Sequence, residues 1–231
     1  MIALVDQPFK CVHCGKTFMK EKTLIAHMCE HKRRFLQKDE KRVQTGFYAY
    51  NKFYQLTQNA KKQKSYTDFC KSAYYNAFVK FGSFINNVNP LYPERFIEFV
   101  IKSGVKLDHW CRDELYEKYL TDLIKVEPVE SAIERSLSYM MEWGEEQNAN
   151  FAHYFKYVNV NRAVHHVRDG KVSPWLLLNS ASGVELLRKF NDEQLELINQ
   201  TLDLGFWAKK FKEQPADVAF VKEVCKETGI A

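Results

Sequence analysis

The feature that most constrains this chain is a set of four soft metal donors near its start, Cys11-x2-Cys14-x12-His27-x3-His31. Two cysteines separated by two residues wrap an ion in a tight turn, helped here by Gly15, and histidines four apart share one face of a helix. The spacing predicts a single closed, tetrahedral Zn2+ site made by Cys11, Cys14, His27 and His31. Phe18 and Leu24 fall between the ligand pairs as the only apolar plug of so small a module. Burying them is worth about 1.5–3 kcal/mol each, against an ordering cost of about 1–2 kcal/mol for each of roughly twenty residues. Zinc binding, at roughly 10–16 kcal/mol, makes up the difference. With protein filling all four positions, the ion is expected to be structural rather than catalytic. Cys29 would stand about 200° round a continuous helix from either histidine, pointing away from the metal, and the spacing gives His13 no ligand role.

Phe9 precedes the first ligand, and the segment then resembles the two-cysteine, two-histidine zinc fingers, matched at Phe9, Cys11, Cys14, Phe18, Leu24, His27 and His31. The resemblance takes in about a seventh of the chain, counted from its start. It implies a β-hairpin followed by a helix, with Lys20, Lys22, Thr23 and Ala26 facing the major groove. That set contains no Arg, Asn, Gln or Asp to discriminate bases strongly. One finger reads about three base pairs, so the resemblance implies contact with DNA or RNA at low sequence specificity, or contact with protein.

Charge points the same way. Residues 1–80 hold sixteen Lys and Arg against six Asp and Glu, whereas residues 81–231 hold eighteen against twenty-three, so a net charge of +5 hides a strongly basic first third. Such an end is suited to an anion, and nucleic acid is the commonest large one; an acidic protein is the other candidate. After His31 the finger helix is expected to run on through Lys32, Arg33, Arg34, Lys38, Lys41 and Arg42, with no breaker before Gly46. With Lys20, Lys22 and Thr23, these six make up the expected nucleic-acid contacts. Phe47, Tyr48, Tyr50, Phe53 and Tyr54 then precede Lys61, Lys62 and Lys64. Aromatics among lysines can stack on unpaired bases, but Phe47, Tyr50 and Tyr54 follow helical spacing, and we read them as the inner stripe of an amphipathic helix.

From Ser65 onward the pattern is helical with no sustained strand alternation. Helices are expected from Pro93 to Gly104, from a cap at Asp108, and at about 129–143, 150–168, 182–190, 192–203 and 216–227. The two helices flanking Gly104 formally make a helix-turn-helix, but the second carries Asp108, Asp113, Glu114 and Glu117, a poor occupant of a major groove. The expected fold is mainly α: one ββα finger (1–32), a basic aromatic helical connector (33–64) and an all-α body (65–231). This body carries no family motif. Only the combination of one finger with an aromatic-rich helical domain is similar to the small accessory proteins of tailed phages, a likeness with no particular residues behind it.

At 45% hydrophobic and 14% aromatic the composition excludes wholesale disorder. No apolar run approaches a membrane span, and the first residues lack a secretory pattern, so a cytoplasmic, nucleoid or nuclear protein is expected, not a secreted one. Six scattered cysteines suit metal binding better than a disulfide framework. Phosphate-cradling loops, G-x-S-x-G and H-E-x-x-H are missing from the sequence. The best catalytic candidate is His165-His166 beside Arg168 and Asp169, but neighbouring histidines point about 100° apart, so one is expected to be packed and the other wet. The run from Pro174 to Leu178 is either a docking element or core, and His109 and Cys111 are read as core edge. The expectation is a non-enzymatic zinc-binding accessory protein that contacts nucleic acid loosely through finger and connector, while its body docks a protein partner. A pure protein-interaction adapter is the alternative.

Overall fold

A computed structural model describes residues 9–59 and 61–230. They form a mainly α protein with one two-stranded sheet near its start. The chain divides between Tyr116 and Glu117 into two compact units. In order, the first unit contains β1 (Phe9–Lys10), β2 (Thr17–Phe18), α1 (Glu21–Ala26), α2 (Glu30–Leu36), α3 (Lys41–Gln58), α4 (Tyr66–Lys71), α5 (Tyr75–Val88) and α6 (Pro93–Lys102). The division falls inside α7 (Asp113–Val126). The second unit continues with α8 (Val129–Gln147), α9 (Tyr154–Tyr157), α10 (Val160–Arg168), α11 (Pro174–Asn179), α12 (Ala181–Leu187), α13 (Asp192–Ile198), α14 (Leu204–Glu213) and α15 (Pro215–Thr228).

The hairpin pairs Phe9 with Phe18 and Lys10 with Thr17, antiparallel. Between the strands Cys11 N–H donates to Lys16 O and Gly15 N–H to Cys11 O, both at 2.8 Å, and Gly15 takes φ +77°, where a Cβ would be strained. The expected continuous helix from the finger into the connector does not form. His27 (ψ 120°) and Cys29 (ψ 164°) are extended, so α1 stops and α2 starts afresh. A second break at 37–40 precedes α3. No Gly or Pro marks the first break; side chains satisfy its open backbone groups instead. Lys32 Nζ donates to the carbonyls of Ile25 and His27 at 3.3 and 3.1 Å, and the Cys29 sulfur caps α2 by accepting the Lys32 N–H at 3.4 Å.

The expected boundaries at 32/33 and 64/65 do not mark compact units, because α2 and α3 pack against α4 and α5. Gly46, expected to break a helix, lies buried inside α3 and lets α5 approach backbone to backbone. A Cβ on Gly46 would come 2.6 Å from Phe78 O, and one on Gly82 would strike Arg42 O and lie 2.7 Å from Gly46 N. Around this crossing the aromatic stripe becomes core, as its spacing suggested. Tyr50 packs on Phe69 and Phe78, and Phe53, Phe78 and Phe81 surround the buried Trp110, with ring centroids 5.0 to 5.9 Å apart. Trp110 Nε1–H donates to Val105 O at 2.9 Å, which holds 107–109 as a single 3-10 turn; α7 therefore starts at Asp113 and Asp108 is not its cap.

In the second unit α8 runs four residues past the expected end, and the expected 150–168 helix is interrupted at Val158–Asn159, where Asn159 Oδ1 caps α10. Two helices lie outside the expectation. α11 buries Trp175, Leu176 and Leu177, so the Pro174–Leu178 run contributes to the core, and α14, capped by Asp203, buries Trp207. Beneath α8, Arg135 pairs with the buried Glu127 and donates to Gly170 O.

Replacing a helical glycine by alanine ordinarily stabilises by up to about 1 kcal/mol. At Gly82 the sign should reverse, because the new methyl meets backbone that cannot swing aside. Gly82→Ala is expected to lower the stability of the first unit by about 1–3 kcal/mol, read as a fall in urea midpoint with the near-UV aromatic signal as probe.

Candidate metal centre and basic surface

The hairpin turn, the end of α1 and the start of α2 bring Cys11, Cys14, His27 and Cys29 together, with their donor atoms all within 4.8 Å of one another. The Cys14 sulfur lies 3.3 Å from His27 Nε2. Ligands at about 2.0–2.3 Å from a tetrahedral ion sit roughly 3.5–3.8 Å from each other, so small side-chain shifts suffice to seat one ion. Cys11 is buried at 3% exposure, and the Phe18 ring packs on His27 with centroids 4.8 Å apart, which makes Phe18 the expected plug.

Three of the four sequence-derived ligands therefore converge, and the fourth donor in the cluster is Cys29, while His31 lies outside it. The 200° displacement of Cys29 presupposed an unbroken helix; the extended residues at 27 and 29 swing its sulfur back to the cluster. His31 instead sits in the first turn of α2, where its Nδ1–H donates to Cys70 O at 3.1 Å. A third thiol between the two histidines was the available signal, since thiolates are preferred ligands for soft ions.

The thiols compete for charge. The Cys14 backbone N–H holds the Cys11 thiol below its ordinary range despite its burial. The Lys16 amide pulls Cys14 the same way, but desolvation together with the Cys11 and Cys29 thiols outweighs it and pushes Cys14 up. Crowded thiols cannot all ionise while nothing neutralises them, and a divalent cation removes that conflict. The cluster can thus hold a metal ion. Comparison with family models, with curated proteins and with solved structures finds no match to this chain.

The proposed basic contacts separate into two groups. Lys20, Lys22, Thr23, Arg33, Lys38, Lys41 and Arg42 are exposed, with Arg42 paired to Glu40 at 2.7 Å. Lys32 is engaged at the helix break. Arg34 is buried at 8% exposure: its guanidinium donates to Cys70 O and Ser72 O at 2.8 and 3.1 Å, pairs with Glu30 and lies 4.5 Å over the Tyr75 ring. Arg34 is therefore removed from the accessible set, because a guanidinium that closes the end of α4 cannot also reach a phosphate.

Of the adjacent histidines in α10, His165 is exposed and His166 buried, as expected. Both nitrogens of His166 are occupied, Nε2 by the Tyr139 hydroxyl at 2.7 Å and Nδ1 by the Tyr154 hydroxyl at 2.6 Å. Burial, with help from Lys171 and Arg162, lowers its pKa to about 4.

Two outcomes are expected. In cobalt(II) titrations that follow thiolate-to-metal absorption, Cys29→Ala should weaken metal binding by more than the roughly 10–100-fold typical of a residue outside the ligand set, and His31→Ala by no more than that. Because His166 is neutral when folded and gains a proton more readily when unfolded, its contribution is fully present above about 6.5 and is lost as pH falls toward about 4, at up to ~1.4 kcal/mol per pH unit. Urea midpoints across this window should drop more steeply for the native chain than for His166→Gln.

Proposed function

We propose that one structural Zn2+ on Cys11, Cys14, His27 and Cys29 organises the N-terminal segment, and that the protein contacts nucleic acid with little sequence preference as a non-enzymatic accessory factor. Three thiols and an imidazole are the soft, tetrahedral donor set that suits zinc, and four protein ligands leave no position for a reactive water. The observation that carries the nucleic-acid reading is a surface of six exposed cations, Lys16, Lys20, Lys22, Arg33, Lys38 and Lys41, none in an ion pair among the described residues. α1 has only six residues, about 9 Å of helix. So short a rod offers few base-edge contacts, which fits binding through phosphates. The second unit holds fourteen basic against eighteen acidic residues over 117–231, and its role in this reading is to engage a protein partner.

A second reading, that the finger is a protein-interaction adapter, has its own observation. Residues 9–36 carry seven of the sixteen large apolar side chains that are exposed among the described residues, with Val12 at 89% and Met19 at 75% the most open. Salt separates the readings, since phosphate contacts release counterions. With four to six phosphates contacted, log affinity for duplex DNA should fall against log salt with a slope of roughly −4 to −5. Arg33→Ala with Lys38→Ala should flatten that slope by about two, whereas Arg34→Ala should lower stability. Absence of binding at low salt would favour the adapter.

A further inference from the structure

Between the metal-bearing turn and α4 lies a cleft that the duplex-binding surface does not use. It consists of two adjoining hollows of about 610 and 230 Å3 that share Val12, His13, His31 and Lys71; Lys10 lines the larger and Phe35 the smaller. No carboxylate lines either one. The volumes lie within or just below the ~300–1,000 Å3 of sites that enclose small ligands, and a concave site of this size admits a single nucleotide but not a base pair held in a helix.

The chemistry is equally specific. Lys10 and Lys71 are exposed and set positive charge on the larger hollow. The His13 and Phe35 rings, 4.9 Å apart at 48°, offer π-faces in the wall. A carbonyl only accepts, so in the 3.1 Å contact to Cys70 O it is His31 Nδ1–H that donates, and in the neutral ring Nε2 is then an acceptor. Every nucleobase has an N–H donor on its pairing edge when unpaired, and none is free in a duplex. Cations for a phosphate, rings for a base face and an acceptor for a base edge thus line one concavity. The geometry points to a subsite for one unpaired nucleotide of a single strand, with the phosphate on Lys10 and Lys71, the base against Phe35 and His13, and its edge on His31. The inference rests on the nucleic-acid reading above and adds that the preferred form is single-stranded. It also places base stacking on the rings beside the metal centre and away from the 47–54 aromatics, of which Tyr50 is buried and the others are half-buried.

The test uses the full chain loaded with zinc and fluorescence anisotropy with a labelled fifteen-nucleotide thymidine strand and a labelled fifteen-base-pair duplex. The single strand should bind more tightly than the duplex. Lys10→Ala and Lys71→Ala should each reduce the single-strand salt slope by about 0.7 and leave the duplex slope in place. Phe35→Leu, which keeps an apolar side chain, should weaken single-strand binding by about 5- to 150-fold, the loss expected for one stacked base. The two lysine variants alter exposed residues and keep the test valid should Phe35→Leu unfold. Duplex binding with no single-strand preference, or lysine variants that weaken both forms alike or neither, overturns the cleft and leaves the nucleic-acid reading standing. No binding to either probe at low salt overturns both.

Discussion

Arg34 takes a full positive charge into the interior of the first unit, and the arrangement of its neighbours follows from the need to satisfy it. A buried guanidinium left unpaired costs several kcal/mol. Here two carbonyls at the end of α4, the carboxylate of Glu30 and the face of Tyr75 share the charge. The backbone is drawn in as well, since the Tyr66 hydroxyl donates to Arg34 O at 2.7 Å. One side chain thereby ties the helix capped by Cys29, a member of the Cys/His cluster, to the aromatic cluster of α3, α4 and α5. The cations closing helix C-termini also complement the local dipole, which explains why Arg, with its planar fork of donors, occupies the position.

The segment that carries the Cys/His cluster and the helical core are consequently joined through α2. The short linker typical of a tethered module is missing, and the basic residues that a charge count treats as equivalent have divided labour. Arg34 and Lys32 close helix ends, Arg42 has an acidic partner, and the remaining cations face solvent. Net charge locates the electropositive end of the protein but overstates how many cations are available to a ligand.

Much of this was legible in the sequence. The Cys11 and Cys14 pair with His27 is read from spacing because a two-residue turn and a glycine at positive φ leave few alternatives. The helical class follows from apolar periodicity, and Tyr50, in the stripe with Phe47 and Tyr54, shows its inward face by the same rule. That Cys29 joins the cluster and His31 does not was hidden because angular arithmetic holds only along an unbroken helix, and this break is held by Lys32 and a sulfur cap, with no Gly or Pro to mark it. Gly46 misled for the opposite reason: a glycine signals either a break or a close approach, and only the partner helix, with Gly82 facing it, decides. The short α11 and the Asp203-capped α14 were obscured by Pro174 and Pro215, which read as punctuation but stand in the first turns of α11 and α15.

The Cys29 sulfur has two attachments, one to the cluster and one to the first turn of α2, and under the proposed zinc reading this would favour one order of assembly. Arg34 and His31 fasten α2 to α4 without any ion, so the folded core presents Cys29 at a fixed place. The Cys11–Cys14 turn lies fifteen or more residues upstream, and closing that loop onto a stationary sulfur costs on the order of 2–3 kcal/mol in chain entropy, well within what a bound ion returns. On the zinc reading proposed above, the core side of the site would stand ready before the hairpin closes over the ion, so the hairpin would act as a flap that the cation itself draws shut.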